Sequence, residues 1–368
     1  MGNKKVVVAM SGGVDSSVAA LMLKREGYDV LGVTMQIWLD EGLFEIARSD
    51  GCCTLSAVDD AKKVCDIIGI PHKTVNFKDI FKEKVIADFI DEYVHGRTPN
   101  PCIVCNRYVK WESLLDHTLS LGYDHIATGH YARIRELPEG RYAIERSLST
   151  NKDQTYVLYS LTQDQLSHTL FPLGGYEKTE VRRIAREAGL PVSDKKDSQE
   201  ICFIQDNDYA GFIEREAPDL TPPPGDFVTS DGRKLGTHKG ITHYTIGQRR
   251  GLNLALGHHV FVSDIRSDTN EVVIGEDRDV YTDHLTVQSV NFMSLSPDRF
   301  RVGDERRLFG KIRYAHPGEW CMVKRIDKDR LEVRFEKEVR AVTPGQAAVL
   351  YDDDMIACGG IIEERKTE

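Results

Sequence analysis

The chain has no apolar run near the ~20 residues that a helix needs to cross a bilayer. That excludes a helical membrane protein. Nor does it show a charged-then-apolar leader. Met1-Gly2-Asn3-Lys4-Lys5 runs directly into a β-branched stretch, so no signal peptide and a cytoplasmic location are expected. Cysteine is too sparse for a disulfide framework, at 8 in 368 residues. In a reducing compartment such thiols are reduced, catalytic or metal-binding. A basic excess is also missing: 48 basic against 58 acidic residues leave a net charge of −10. This argues against indiscriminate nucleic-acid binding but allows a local basic patch. One candidate comprises Arg299, Arg301, Arg306, Arg307, Lys311, Arg313, Lys324 and Arg325, and another Arg249-Arg250. Either also reads as an ordinary solvated face. Internal repeats and low-complexity tracts are absent.

What is present is alternation. Strand signals at residues 6–9, 30–36, 72–77 and 125–128 are interleaved with helix signals at 15–25, 56–68, 81–93 and 108–121, and a further helix is expected at 178–189. Such βαβ units predict a mostly parallel sheet with ligands at the carboxyl ends of its strands. Past residue 204 the pattern changes. Pro222-Pro223-Pro224-Gly225 reads as a linker, and 225–275 as a small mixed region. Short apolar runs at 287–292, 308–312, 321–326, 331–335, 347–351 and 355–362 predict an antiparallel barrel. The expected division is 1–205 for the sheet domain, 206–284 for a small central domain and 285–368 for the barrel. The fold class is therefore α/β, with a small mixed domain and a β-barrel following.

The turn after the first strand is the most specific local signal. In Met10-Ser11-Gly12-Gly13-Val14-Asp15-Ser16-Ser17, glycines let the backbone approach an anion, and the following helix points its positive end at it. No Gly-Lys-Ser/Thr closes the turn, so it is not a Walker loop, and G-x-G-x-x-G spacing is lacking. It resembles the pyrophosphate loop of the ATP-pyrophosphatase superfamily, whose members adenylate a substrate and release pyrophosphate. Asp15 reads equally as a Mg²⁺ ligand and as a helix cap.

Cysteines form the second constellation. Thr98-Pro99-Asn100-Pro101-Cys102-Ile103-Val104-Cys105-Asn106 reads as a stiff extended loop between helices. One turn can bring Cys102 and Cys105 together, and a thiol just ahead of a helix is activated. Cys202, flanked by Ile201 and Phe203, reads on its own as a small core residue. Cys65, Cys321 and Cys358 read as core or incidental.

Together with Gly51-Cys52-Cys53, Ala127-Thr128-Gly129-His130-Tyr131, Lys152-Asp153-Gln154, Phe171-Pro172-Leu173-Gly174, Gln199-Glu200-Ile201-Cys202-Phe203, Gly247-Gln248-Arg249-Arg250-Gly251 and Arg313-Tyr314, these motifs resemble the tRNA-specific 2-thiouridylases over essentially the whole chain. The resemblance implies adenylation of the oxygen at ring position 2 of the wobble uridine with ATP and Mg²⁺, and then its replacement by sulfur. It implies ATP contacts at Ala9, Met10, Ser11, Gly12, Gly13, Val14, Asp15, Ser16, Met35 and Gly129. Cys105 becomes the nucleophile and Cys202 the persulfide carrier. Two such thiols can close a disulfide after turnover, which a reductant must open. Asn100 and Pro101 match positions that contact the flipped base, while Lys152, Asp153, Gln154, Arg313 and Tyr314 match tRNA-contacting positions. An Arg beside an aromatic suits phosphate contact plus stacking. His130 is expected to be structural or close to ATP. The implied partners are tRNAs for Lys, Glu and Gln, and a sulfur-relay protein or cysteine desulfurase. A monomer is the default.

Cys102 departs from the family pattern, in which many members carry an acidic, supporting or base-contacting residue. Cys102, Cys105 and Cys202 also resemble the three thiolate ligands of four-iron–four-sulfur tRNA thiolases. A zinc site would need a fourth ligand. Two further readings stay open: an amidoligase of the same superfamily, and a nucleotide- or tRNA-binding module without catalysis.

Overall fold

The computed structural model describes residues 4–37, 55–196, 201–204 and 207–366. Two units divide the chain: Met1–Val85, Cys102–Asn207 and Asp354–Ile356 form one, and Ile86–Pro101, Asp208–Asp353 and Ala357–Glu368 the other.

The first unit is built on β1 (Lys5–Ala9), β2 (Asp29–Gln36), β3 (His72–Asn76), β4 (His125–Ala127) and β7 (Thr169–Leu170), with β5 (Ala132–Glu136) and β6 (Tyr142–Arg146) as an antiparallel hairpin. The sheet is parallel, in the order β3-β2-β1-β4-β7. Val6, Val7 and Val8 are fully buried, as a strand covered on both faces requires. Helix α1 (Val14–Arg25) packs on α2 (Leu55–Ile68) and on the helix Lys178–Glu187. Their apolar faces share one core through Val18, Leu21, Ala61, Val64, Val181 and Ala185. Strand order reverses between β1 and β4, which opens a crevice at their carboxyl ends.

The second unit holds two sheets. Strands β8 (Gly225–Val228), β9 (Lys234–His238), β10 (Phe261–Arg266) and β11 (Glu271–Gly275) form a mixed sheet, ordered β10-β11-β8-β9, around Phe227, Ile241 and Val262. Strands β12 (Tyr281–Phe292), β13 (Glu305–Lys311), β14 (Glu319–Arg325), β15 (Arg330–Arg340), β16 (Ala347–Asp352) and β17 (Met355–Lys366) run β12-β15-β14-β13-β16-β17. Pairing of β12 with β17 closes the barrel and removes both edges.

One local expectation is corrected. The segment bearing Cys102 and Cys105 is not a loop ahead of a helix. Helix begins at Pro101 (Pro101–Val104) and continues as π-type turns over Cys105–Leu114. Proline suits a first helical position because its missing N–H would find no partner there. The proline that suggested an extended loop therefore starts the helix, and Cys105 lies within it.

Candidate active site

The pyrophosphate-type loop leaves β1 with Met10 N donating to Val33 O on β2. Gly12 has φ +67°, and a Cβ there would meet Ala57 O at 2.4 Å. Only glycine combines that conformation with so close an approach to α2. Ser16 Oγ accepts from Ser11 N at 3.1 Å, and Ser17 Oγ donates to Gly13 O at 2.8 Å, so the serines brace the turn from within. Gly13 begins α1 without a side-chain cap. The first-turn N–H groups and the dipole of α1 are thus aimed into the crevice, as an anion site requires.

Asp15 does not cap the helix. Its Oδ1 accepts from Tyr131 Oη at 2.8 Å, and Lys178 Nζ donates to both carboxylate oxygens. A second lysine, Lys195, donates to Gly12 O at 3.1 Å and to Asp60 Oδ2 at 2.9 Å. Two cations therefore reach the loop from the far end of the unit. Neither was legible in sequence, where a lysine at a helix start or in a turn is an ordinary surface residue. Gly129 follows β4, and its Cβ would lie 2.6 Å from Ser16 N. Its close approach is to the start of α1. Met35 is half-buried, one residue before the end of β2.

Neighbouring His130 is enclosed by Trp111 and Phe171, with ring centroids at 5.7 and 6.1 Å, and Nδ1 shares a 2.7 Å hydrogen bond with Thr128 Oγ1. Burial, reinforced by Lys110, pushes its pKa well below the usual histidine range. The imidazole is therefore neutral and packed against both rings. Gln154 Oε1 accepts from Tyr131 N at 3.0 Å, and Asp153 accepts from Ser147 N and Thr155 Oγ1. These side chains shape their own turn, and Tyr131 links that turn to Asp15. Lys152, half-buried, ends the adjacent turn Thr150–Lys152.

Cys102 and Cys202 are exposed and Cys105 is half-exposed. Ile103 and Asn106 face inward at 4% and 1% exposure. Asn106 Nδ2 donates to Val157 O at 2.9 Å and its Oδ1 accepts from Lys110 Nζ at 2.7 Å, which pins the helix beside Cys105. Next to Cys202, the Phe203 ring packs edge-on against Phe81 at 5.6 Å. Phe81 ends a helix, Lys78–Phe81, that itself packs on Cys105–Leu114. Cys202 is tethered in this way to the element that carries Cys105. Among the described residues no three His, Cys, Asp or Glu side chains gather as a metal-holding set. Cys102, Cys105 and Cys202 are thus not assembled as cluster ligands, nor as a zinc site. Cys52, Cys53, Gln199 and Glu200 lie outside the described residues.

In the second unit, Asn100 is half-buried and Pro101 buried. Arg313 donates to Arg340 O at 2.8 Å, and Tyr314 is 45% exposed beside it. Three members of the neighbouring basic run are ion-paired: Arg306 with Asp352, Arg307 with Glu336 and Lys324 with Glu305. Arg325 is buried and donates to the carbonyls of Pro297, Phe300, Asp327 and Lys328, a purely structural task.

Comparison with known proteins agrees with this architecture. Residues 4–206 match the family model of a tRNA methyl transferase HUP domain. Residues 211–276 match a tRNA methyl transferase PRC-barrel domain, and 282–362 an aminomethyltransferase beta-barrel domain. The tRNA-specific 2-thiouridylase MnmA of Lachnoclostridium phytofermentans is 55% identical over 362 residues, covering 98% of this chain and 99% of the relative. That of Clostridium acetobutylicum is 52% identical over 361 residues, covering 98% and 100%. A solved 4-thiouridine synthetase–RNA complex with bound ATP is 20% identical, covering 59% of this chain and 51% of that one, at a TM-score of 0.37. At such identity over its full length, the chain belongs to the tRNA-specific 2-thiouridylase family of tRNA sulfurtransferases.

Proposed function

We propose that this chain replaces the oxygen at ring position 2 of a tRNA wobble uridine with sulfur, in two steps. In the first, that oxygen attacks the α-phosphorus of MgATP and pyrophosphate leaves. The observation that carries this step is the uncapped start of α1 at Gly13 with Lys178 and Lys195 beside it. Positive dipole and two ammonium groups suit the charge that builds on departing pyrophosphate. Asp15 would offer its carboxylate oxygens to the Mg²⁺ that accompanies ATP. Met35 and Gly129 complete the nucleotide side, as the family pattern implies.

In the second step the outer sulfur of a Cys202 persulfide attacks the activated carbon, and AMP departs with the oxygen. The Cys105 thiolate then attacks the inner sulfur of Cys202, which frees the thiocarbonyl and leaves a Cys105–Cys202 disulfide. A dithiol reductant supplies the two electrons that reopen it. Support for this relay comes from the exposure of both thiols and from the Phe203–Phe81 tether. Asn100 and Pro101 would receive the base turned out of its stack. Lys152 and Arg313 serve the RNA backbone, and exposed Tyr314 offers a stacking face. Asp153 and Gln154 hold their turn in shape for that contact. Lys, Glu and Gln tRNAs are the substrates, and a relay protein or desulfurase is the sulfur source.

Incubating the chain with unmodified tRNA, MgATP, a persulfide donor and a dithiol tests this reading. Mass spectrometry of the nucleosides should show a sulfur-for-oxygen mass increase on the wobble uridine. AMP formation without that increase would favour an amidoligase. Absence of both would leave only a binding module.

A further inference from the structure

Residues 86–101 belong to the second unit. There the loop Thr98-Pro99-Asn100-Pro101 is registered by the barrel segment just before β16. Thr98 N donates to Pro344 O at 2.9 Å. Gln346 Nε2 donates to Thr98 O at 2.9 Å and to Pro99 O at 3.1 Å. Thr98 Oγ1 donates to Thr245 Oγ1 at 3.2 Å. Gly345, at φ +88°, lies so close that a Cβ would meet Glu92 Oε2 at 2.6 Å and Thr98 N at 3.0 Å. Gln346 is fixed in turn: its N donates to Thr343 O and its O accepts from Ile362 N on β17 at 2.7 Å.

The chemistry explains why a glutamine stands here. Pro99 and Pro101 have no N–H, so two of the four loop residues cannot donate. The loop must be registered largely through its carbonyls. A carboxamide carries two N–H bonds on one nitrogen and can satisfy two consecutive carbonyls at once. An isosteric carboxylate would instead face both with acceptors.

We infer that Gln346 is a positioning residue for the base-binding loop. Its carboxamide sets the backbone on either side of Pro99, and with it the placement of Asn100 and the helix start at Pro101, which leads to Cys102 and Cys105. The barrel thereby registers the target-base loop as well as offering RNA contacts. This rests on the assignment of Asn100 and Pro101 to the target base.

The test uses the full chain, unmodified tRNA, MgATP, a persulfide donor and a dithiol, with Gln346→Met, Gln346→Glu and Gln346→Lys. Gln346→Met and Gln346→Glu should lower kcat for thiolation by about 10- to 100-fold, the scale of a misplaced positioning group, with KM for ATP unchanged. Gln346→Lys restores a donor and should recover part of the loss. Relative to wild type, Gln346→Glu should gain activity as pH falls and its carboxyl becomes a donor. Hydrogen exchange over residues 97–106 should quicken in Gln346→Met. Wild-type kcat and unchanged exchange in Gln346→Met would overturn the inference. So would an equal loss in all three variants with no recovery at low pH, which marks a merely structural role. If wild-type protein forms no 2-thiouridine, the functional reading fails, and the exchange readout still decides whether Gln346 holds the loop.

Discussion

Lys178 Nζ donates to both carboxylate oxygens of Asp15, at 2.8 and 2.7 Å, across 163 residues of sequence. The lysine side chain is 13% exposed and the aspartate 30%. Each member neutralises the other at the mouth of the pyrophosphate-type loop. On the proposed function, an entering polyphosphate competes with Asp15 for the ammonium of Lys178. Lys178→Met should therefore lower kcat/KM for ATP by about 10- to 100-fold, the range for a lost charge-assisted hydrogen bond. ATP–pyrophosphate exchange in the presence of tRNA measures it. Lys195→Met should fall in the same range. Unchanged exchange in both variants would remove the lysines from the mechanism.

The thiols separate by environment. Burial pushes Cys65 and Cys358 up to about 12, and raises Cys321 as well. At mildly alkaline pH iodoacetamide should label Cys102, Cys105 and Cys202 well before these three, as peptide mass mapping would reveal. Cys105→Ser and Cys202→Ser should abolish thiolation while tRNA-dependent ATP–pyrophosphate exchange persists. Cys102→Ser should keep turnover within about 10-fold, because a supporting group contributes less than a nucleophile. Loss of bound iron together with activity in Cys102→Ser would reverse the assignment in favour of a cluster.

Asp88 sits among like charges. Burial, then Glu92 and Asp91, raises its pKa from 3.8 to about 6. A carboxyl whose folded value exceeds its unfolded one favours folding while protonated. That contribution is complete below about pH 4 and is lost as pH rises towards 6. Asp88→Asn should raise Tm at neutral pH by about 2–4 °C, corresponding to about 1 kcal/mol once partial exposure is allowed for. Its advantage should vanish below about pH 4. A thermal series against pH decides the matter, and no gain at neutral pH would contradict the assignment.

For His130 the sign is opposite. Its folded pKa lies well below the unfolded 6.5. Its stabilising contribution is complete above about 6.5 and is lost as pH falls below that value. No limb of the thiolation pH profile near 6.5 should belong to it. His130→Gln should reduce kcat by less than about 10-fold, whereas removal of a general base costs about 10²–10⁴. A larger loss together with a displaced pH limb would make it catalytic.

Much of the fold was legible because its signals are local. The β-branched run ending at Ala9, the Gly12-Gly13 turn and the following helix are contiguous, and the paired runs of the barrel alternate at short spacing. The start of the cysteine helix was misread because Pro101 both suggests extension and suits a first helical turn. The resemblance matched Asp153 and Gln154 to tRNA-contacting positions, while the hydrogen bonds of their side chains to Ser147 N and Tyr131 N had no local signal.

Sequence by itself determined the parallel-sheet class, the anion-binding turn, the three candidate thiols and the family, since each rests on neighbouring residues or on motif order. Tertiary structure alone decided which lysines reach the turn and what holds the Thr98–Pro101 loop. Lys195 reaches Gly12 across 183 residues, and Gln346 reaches Thr98 across 248. Such pairs carry no periodicity and no local pattern. They exist only once the chain has folded and brought a lone lysine or glutamine against a carbonyl that needs a donor.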